Sequence, residues 1–593
     1  MKENDAKMKM DKSQTFDCDV VILGSGMAGS TLAAILAKQG ISTVIIDSGV
    51  HPRFALGEST VRETTKMLKI LSDRYEVPEF MHLSNYDECR RHVSSNCGMK
   101  RQIGFVYHKE GKEQDPEEIY QAVIVEAFEP PEIHYHRQDT DSYLINVCLH
   151  YGAKVFQGVK VKMVDLNKDG VTVHTECNKK INAKYIADGS GVNSVLANQL
   201  QLRAGAPNLK TESRSIFNHF VDYKPLETVS SAKYPVPRPW HQGTTHQCFD
   251  GGWIWTIPFN NGMNPTNQMI SVGLQLDLKK FPAQKMMSPE EEFFSHINRF
   301  PSLKKMFGEA KAVRPWVSTG RLTYATNDLV GDRYCLFGMA AGFVDPLYSR
   351  GLAITFTSIH PLAESLIKSV KTNVFRKEDF SVVAEYQSNI VKQVDSLVNG
   401  AYISYRDPDL FQAWVRVWLS AVTMGYYHLE NAHKSFTKSG RNPEVLTKML
   451  LKPNAESMVG SFCPSVNSFQ LVFESYIKLI ESVGDGKMES KTAAKKIFQM
   501  VEESRVFPPW YKAGDPKAKH NIEETLDELL EYSRWGNAEA PEELRKAFFA
   551  GDPVDNVVMF SKAARMVTEK KSKDELAQYL VQADMDWKKK KAA

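Results

Sequence analysis

The sequence predicts an α/β fold followed by an all-helical extension. Three observations predict it: a glycine-punctuated strand, helix and strand within the first fifty residues, a strand of period-two alternation in the middle, and helical periodicity after residue 366. At 593 residues, 42% of them apolar, the chain can bury a large core divided over several domains. Its 74 basic and 71 acidic residues nearly cancel, to a net charge of +3, so neither nucleic acid nor an anionic membrane is an expected partner. The eight cysteines are scattered, without a C-x-x-C pair or a cysteine–histidine cluster, which argues against a disulfide framework and against structural zinc. This usage fits a reducing, cytoplasmic setting.

Residues 1–16 open with MKENDAKMKMDKSQ, lack the apolar core of a secretory signal, and read as a disordered arm. The run that follows, DCDVVILGSGMAGSTLAAILAKQGISTVIIDSG, reads as a buried strand at 20–23, a glycine turn, a helix of small residues at 30–39, and a strand at 43–46 ending in Asp47. The apolar stretch 20–37 approaches the length of a membrane span, but its glycines with Ser30 and Thr31 fit strand, turn and helix instead. Gly24 permits the tight turn, Gly26 lets a pyrophosphate approach the backbone, and Gly29 lets helix and strand pack closely. Asp47 is spaced to accept the ribose hydroxyls. A dinucleotide is therefore expected on Gly24, Gly26, Met27, Ala28, Gly29 and Asp47.

Three later segments narrow the dinucleotide. PRFALGEST at 52–60 follows the second strand, IADGSG at 186–191 ends another, and RYCLFGMAAGFVDPLYSRGLAITF at 333–356 reads as a strand and glycine turn entering a helix. Disposed around one Rossmann unit, these segments resemble the FAD-binding fold of the aromatic hydroxylase superfamily. The resemblance implies a Rossmann-like FAD-binding domain with a mixed-sheet substrate domain. It also implies further FAD contacts from Glu58, Ser59, Thr60, Arg137, Asp188, Gly338, Gly342 and Asp345. Asp345 reads first as a cap of the following helix or a holder of the turn, since Asp-Pro is common turn chemistry. His134 and His136 form an H-x-H ahead of Arg137, Asp139 and Asp141, but no third ligand type lies nearby, so no metal is expected.

In GGWIWTIPF, 251–259, Trp253 and Trp255 point to one face of a strand while Ile254 and Thr256 point to the other, and Pro258 ends the ladder. Taken alone, W-x-W reads as an aromatic core strand. Extended to W-x-W-x-I-P, with PRFALGEST and with NCGMKRQIGF at 96–105, it resembles the flavin-dependent halogenases over residues 17–365. The resemblance implies that Trp253, Trp255, Ile257, Pro258 and Tyr348 wall the substrate off from the flavin. It implies that Lys100, aligned on K-x-x-I-x-F with Ile103 and Phe105, orients hypohalous acid or carries its halogen. It places halide beside the flavin at the turn Ser349, Arg350 and Gly351. Arg350 there either adds positive charge for the anion or pairs with a nearby acid.

The chain departs from the tryptophan-specific branch at Asp345-Pro346-Leu347-Tyr348-Ser349-Arg350-Gly351, where Tyr348 stands in place of that branch's glutamate. The substrate class implied is a phenol, ahead of a pyrrole, free or tethered to a carrier protein or peptide. No second nucleotide-binding glycine motif occurs, and Met339 follows Gly338 where hydroxylase relatives carry Asp. Both features fit reduced FAD supplied by a separate flavin reductase. Two rivals follow from the same residues: an aromatic hydroxylase, which Lys100 and the tryptophans argue against, and a flavin-binding scaffold without turnover.

From 366 to 593 the pattern is helical. Leu410, Trp414, Val417, Trp418 and Ala421 form one stripe of a helix at 407–434, read as packing and not as a binding box. Further amphipathic segments are expected near 465–484, 489–505, 521–536 and 554–569, with loops at CPS and FPPWYKAGDP. The terminal DWKKKKAA reads as a solvated lysine run. The expected divisions are a 1–16 arm, a 17–365 FAD- and substrate-binding module with its substrate sheet mainly in 95–130 and 205–310, and a 366–593 helical domain.

Overall fold

The computed structural model describes residues 14–549, apart from 125–129, 204–208, 263, 285, 452–458, 523–531 and 533. The predicted segment 554–569 and the lysine tail lie outside the described residues, as does most of 1–16 and much of 521–536. Thr15 and Phe16 already belong to the first strand, Thr15–Leu23, where they pair with Lys180 and Ile181. Phe16 also packs on Phe156 with ring centroids 4.8 Å apart, so the arm ends earlier than its composition indicated.

Five parallel strands form the centre of the first sheet, in the order Tyr334–Leu336, Lys180–Asp188, Thr15–Leu23, Thr43–Asp47 and Lys154–Gln157. Val20 to Ile22 are wholly buried, as an apolar run covered on both faces should be. The helix after the glycine turn is Met27–Lys38, three residues earlier than expected. Ser30 is inside it, with its hydroxyl donating to the Ser25 carbonyl at 2.9 Å, and Gly26 takes the N-cap position with no side-chain cap.

The second sheet is mixed, ordered Lys311–Ala312, Ser213–Val221, Ile270–Asp277, Gly252–Pro258, Thr244–Phe249, Gln102–Tyr107 and Ile119–Val123. Its parallel pair is Thr244–Phe249 with Gln102–Tyr107. Trp255 lies opposite Gly273, where a Cβ would stand 2.0 Å from the indole, so the glycine opens the space that the ring fills. A separate ribbon pairs Gly98–Lys100 with Glu132–His134.

Helices Arg350–Thr372, Ser381–Ser404, Pro408–Lys438, Asn467–Gly484 and Ser490–Ser504 build the rest. The expected division at 366 falls inside Arg350–Thr372, so the change of sequence pattern is not a break in the backbone. Leu410, Trp414, Val417, Trp418 and Ala421 are all fully buried, in one apolar cluster with Phe105, Trp253, Trp255 and Tyr348 of the preceding module. Trp414 also donates its indole N–H to the Leu397 carbonyl at 2.9 Å. Among the described residues no helix is long and apolar enough to cross a membrane.

Candidate active site

A groove follows the carboxyl ends of the parallel strands and widens into two cavities that share Leu56, Met339 and Leu352. The first, of about 640 Å³, is lined by Gly24, Gly26, Met27, Ala28, Asp47 and Arg137 among others. Gly24 has φ +91°, a conformation that other residues rarely adopt, and a Cβ on Gly29 would stand 1.9 Å from the Gly24 carbonyl oxygen. A Cβ on Gly26 would meet nothing within 4 Å, because that side of the backbone opens into the groove. Uncapped N–H groups at the start of Met27–Lys38 therefore face an open cradle suited to phosphate.

Asp47 accepts the backbone N–H and hydroxyl of Ser25 at 2.6 and 2.8 Å and pairs with Arg53 at 2.6 Å. Burial opposes its charge, but these donors outweigh burial and hold its carboxyl below the usual range. Arg137 is held by Asp141 at 2.7 Å, joining the two ends of the R-x-x-x-D segment.

The second cavity, of about 270 Å³, is apolar and lined by Trp253, Trp255, Ile257, Phe343, Ser349 and Gly351, with Glu58 and Ser59 on its rim. The two indoles lie 5.9 Å apart at 52°, on one side of the strand as their spacing required. Glu58 accepts from His219 Nε2 at 2.8 Å, and Arg314 Nε donates to Nδ1 of the same ring at 2.8 Å, which puts the imidazole proton on Nε2. An open phosphate cradle joined to an apolar slot, with ion-paired carboxylates and guanidiniums along the way, fits FAD.

Several expected contacts lie elsewhere. Asp188 is wholly buried and spends its carboxylate on Ser190, Ser194 and the Leu196 N–H, so it shapes the turn at Gly189 to Gly191 without lining the groove. Gly338 donates its N–H to Gln387 at 2.9 Å, and Gly342 pairs with Ala325. The residue between them that lines both cavities is Met339. Asp345 accepts from Ser213, Tyr402 and the Leu347 N–H, holding the turn, and burial raises its carboxyl to about 6. Thr60 bonds Glu132 at 2.8 Å behind the cavity wall. Pro258 ends its strand with its carbonyl turned to His134. Tyr348, at φ +68°, turns its ring away from both cavities and stacks on Trp418 at 5.3 Å.

Arg350 takes the second of its two expected roles: its guanidinium pairs with the buried Glu63 and lies over Phe462 at 4.9 Å. His134 and His136 carry no metal geometry. His134 Nδ1 contacts the Pro258 carbonyl at 2.8 Å and its Nε2 contacts Thr244 Oγ1 at 2.9 Å, while His136 pairs with Asp139.

Lys100 is completely buried. Its Nζ donates to Ser59 Oγ at 2.8 Å and to the Thr60 carbonyl. Burial lowers its ammonium from 10.5 to about 7, against a smaller opposing effect of Glu132. A carbonyl only accepts, so His134 carries its proton on Nδ1 and accepts at Nε2. Thr244 must then donate to His134 and accept from Ser59, 2.6 Å away, and Ser59 in turn accepts from Lys100. The chain of bonds runs one way. In the neutral amine both N–H bonds are engaged by Ser59 and Thr60, which leaves one lone pair free.

Beyond this partition lies a third cavity, of about 170 Å³, lined by Val61, Arg62, Glu63, Ile103, Trp418, Tyr426, Tyr427, Phe507 and Tyr532 among others. Residues 59 to 63 thus pass from the second cavity to the third, with Lys100 bonded to their backbone midway. Glu63, Met339 and Thr244 were missed from sequence. Glu63 had no legible signal, because its partner Arg350 lies 287 residues away.

Residues 17–373 match the family described as FAD binding domain. The chain is 38% identical over 535 residues to monodechloroaminopyrrolnitrin halogenase of Pseudomonas fluorescens, covering 89% of this chain and 93% of that protein. It is 37% identical over 539 residues to tetracycline 7-halogenase of Kitasatospora aureofaciens, covering 90% and 95%. Among solved structures it is similar to halogenase PltM in complex with phloroglucinol and FAD, with a TM-score of 0.81, 31% identity, and coverage of 85% of this chain and 99% of that one. Alignments of this length run past residue 365 into the helical extension.

Proposed function

Because the chain belongs to the flavin-dependent halogenases, we propose that it places chlorine or bromine on an electron-rich phenol, free or tethered to a carrier protein or peptide, with Lys100 relaying the halogen. FAD is its cofactor and halide its co-substrate, and the hydroxylase and scaffold rivals are set aside. Bound in reduced form, FAD supplies two electrons with which dioxygen and halide yield hypohalous acid and water.

The observation that carries the reading is the place of Lys100, bonded to the segment that separates the apolar tryptophan-lined cavity from the third. Trp253 and Trp255 close the ring end, keeping an aromatic substrate away from the flavin. Gly24, Gly26 and the Met27–Lys38 helix hold the pyrophosphate, Asp47 and Arg137 orient the polar half, and the Ser349–Gly351 turn holds halide through the Gly351 N–H, the Ser349 N–H being donated to the Pro346 carbonyl at 3.2 Å. The ammonium of Lys100 hydrogen-bonds hypohalous acid, or its free amine takes the halogen and releases water, and either form presents the electrophile toward the third cavity.

A phenolic substrate is supported by the aromatic side chains that share that cavity's lining with aliphatic ones, Trp418, Tyr426, Tyr427, Phe507, Tyr511 and Tyr532, and by the similar structure bound to phloroglucinol. A pyrrolic or carrier-bound substrate is supported by the likeness to a 1H-pyrrole-2-carbonyl-[peptidyl-carrier protein] chlorinase. Reduced FAD from a separate flavin reductase is supported by the lack of a second nucleotide-binding glycine motif in the sequence.

The test is a competition in one vessel: protein, flavin reductase, NADH, FAD and bromide with equal amounts of a phenol, a pyrrole, and tyrosine and pyrrole-2-carboxylate each loaded on a carrier. Brominated phenol or carrier-bound tyrosine as the main product is expected. Brominated pyrrole as the main product would overturn the phenolic assignment.

A further inference from the structure

Resting on the phenolic reading, we infer that Glu63 is the catalytic base that takes the substrate's hydroxyl proton in the third cavity. Aromatic substitution by hypohalous acid is fast only when the ring is electron-rich, and a phenol becomes far richer as its O–H proton leaves. A base is therefore needed at the wall of the substrate cavity.

Among the described residues lining the third cavity, only Arg62 and Glu63 are charged, and of these Glu63 is the one that can accept a proton at neutral pH. It stands in the first turn of Arg62–Tyr75, where the helix N-terminus favours an anion. Its carboxylate pairs with Arg350, both side chains about 5% exposed, and Glu132 is the other charge that acts on it. Burial raises its carboxyl from the ordinary value, with the Arg350 guanidinium opposing, so the group is more basic than an exposed glutamate. Room for the carboxylate is made by Gly425, where a Cβ would stand 2.3 Å from Glu63 Oε1. A buried ion pair is costly to desolvate and is weak evidence of stabilisation, and one placed at a cavity wall is a candidate functional site.

The step balances. The phenolic O–H bond breaks with its proton going to Glu63, and the ring carbon forms a bond to the halogen. The halogen–oxygen bond of the hypohalous acid breaks with its electron pair on oxygen, which takes a proton from the Lys100 ammonium and leaves as water. The ring carbon then loses its proton to the Lys100 amine while Glu63 returns one to the oxygen. The sum is phenol plus hypohalous acid giving halophenol plus water.

The experiment compares bromination by wild type, Glu63→Gln and Glu63→Asp at pH 7 across phenol, phloroglucinol and 4-nitrophenol, a series of rising acidity. For phenol, whose hydroxyl is un-ionised with a pKa of about 10, Glu63→Gln should lose roughly 100-fold in kcat, within the usual range for a positioned base. That deficit should shrink to about 3-fold for 4-nitrophenol, of which roughly half arrives already ionised, and Glu63→Asp should recover part of the rate. Should Glu63→Gln leave Arg350 unpaired and the protein unfolded, Glu63→Asp carries the test alone, because its deficit must show the same dependence on acidity. A deficit equal for all three phenols would mean that Glu63 only positions Arg350, and it would overturn the assignment, as would rates within 2-fold of wild type. If the wild type halogenates none of the phenols, the phenolic reading itself fails and takes this proposal with it.

Discussion

At the residue scale the proposed function turns on Lys100, and the burial of that side chain has a measurable consequence for stability. Its folded-state ammonium lies near 7 against 10.5 for an exposed lysine, so between those values the unfolded chain binds the extra proton. Unfolding free energy should therefore rise with pH from about 7 to 10.5, and below 7 the penalty is complete and constant. Lys100→Met removes it: by chemical denaturation at pH 7 the variant should be more stable by on the order of 3–5 kcal/mol, a gap that narrows towards pH 10. A gap that does not change with pH would contradict the lowered ammonium. The sequence singles out Lys100 because its motif neighbours are local, K-x-x-I-x-F. Glu63 and the Ser59–Thr244–His134 chain were not legible there, because their partners meet only through folding, Ser59 and Thr244 lying 185 residues apart.

At the scale of elements, the strand–turn–helix at the N-terminus separates fold from cofactor binding at two glycines. Gly26 has ordinary backbone angles and an open Cβ direction, so Gly26→Ala should melt within about 2 °C of wild type yet weaken FAD binding at least tenfold, about 1.4 kcal/mol. Gly29→Ala drives a methyl into the Gly24 carbonyl and should cost roughly 3 kcal/mol of stability whether or not FAD is present. Thermal melts with and without FAD, together with flavin fluorescence titration, distinguish the two. Sequence periodicity placed these elements well, since the strand is a pure apolar run and the glycines punctuate it. The late segment was read less well. Gly338, Gly342 and Asp345 are conspicuous turn residues, but their polar groups are satisfied by Gln387, Ala325, Ser213, Tyr402 and Leu347, and the side chain facing the groove is the unremarkable Met339. Turn chemistry in a sequence marks where the backbone bends, not which atoms face the ligand.

Across the whole molecule, the mixed sheet and the helical extension share one core, in which Phe105, Trp253 and Tyr348 pack with Trp414 and Trp418. Removing the chain after Thr372 would strip that core of buried aromatics worth several kcal/mol each, so the truncated protein should be insoluble or molten, with increased dye binding. A cooperatively melting 1–372 fragment would contradict a shared core. The helical pattern was legible as packing, but its part in walling the third cavity was not, because Trp418, Tyr426 and Tyr427 look alike in sequence whether they face a core or a substrate. Two joined cavities lie on one side of the segment that holds Lys100 and a third lies on the other, and in the proposed function the halogen passes between them only on or beside that amine. The most direct test is mass spectrometry of the phenol product from wild type and Lys100→Ala, run with reductase, NADH, FAD and bromide, with oxygen uptake followed alongside. The account predicts a bromine isotope doublet from wild type and its loss in Lys100→Ala, while oxygen is still consumed. A doublet of equal yield from Lys100→Ala, or a product carrying added oxygen and no halogen from both proteins, would contradict it.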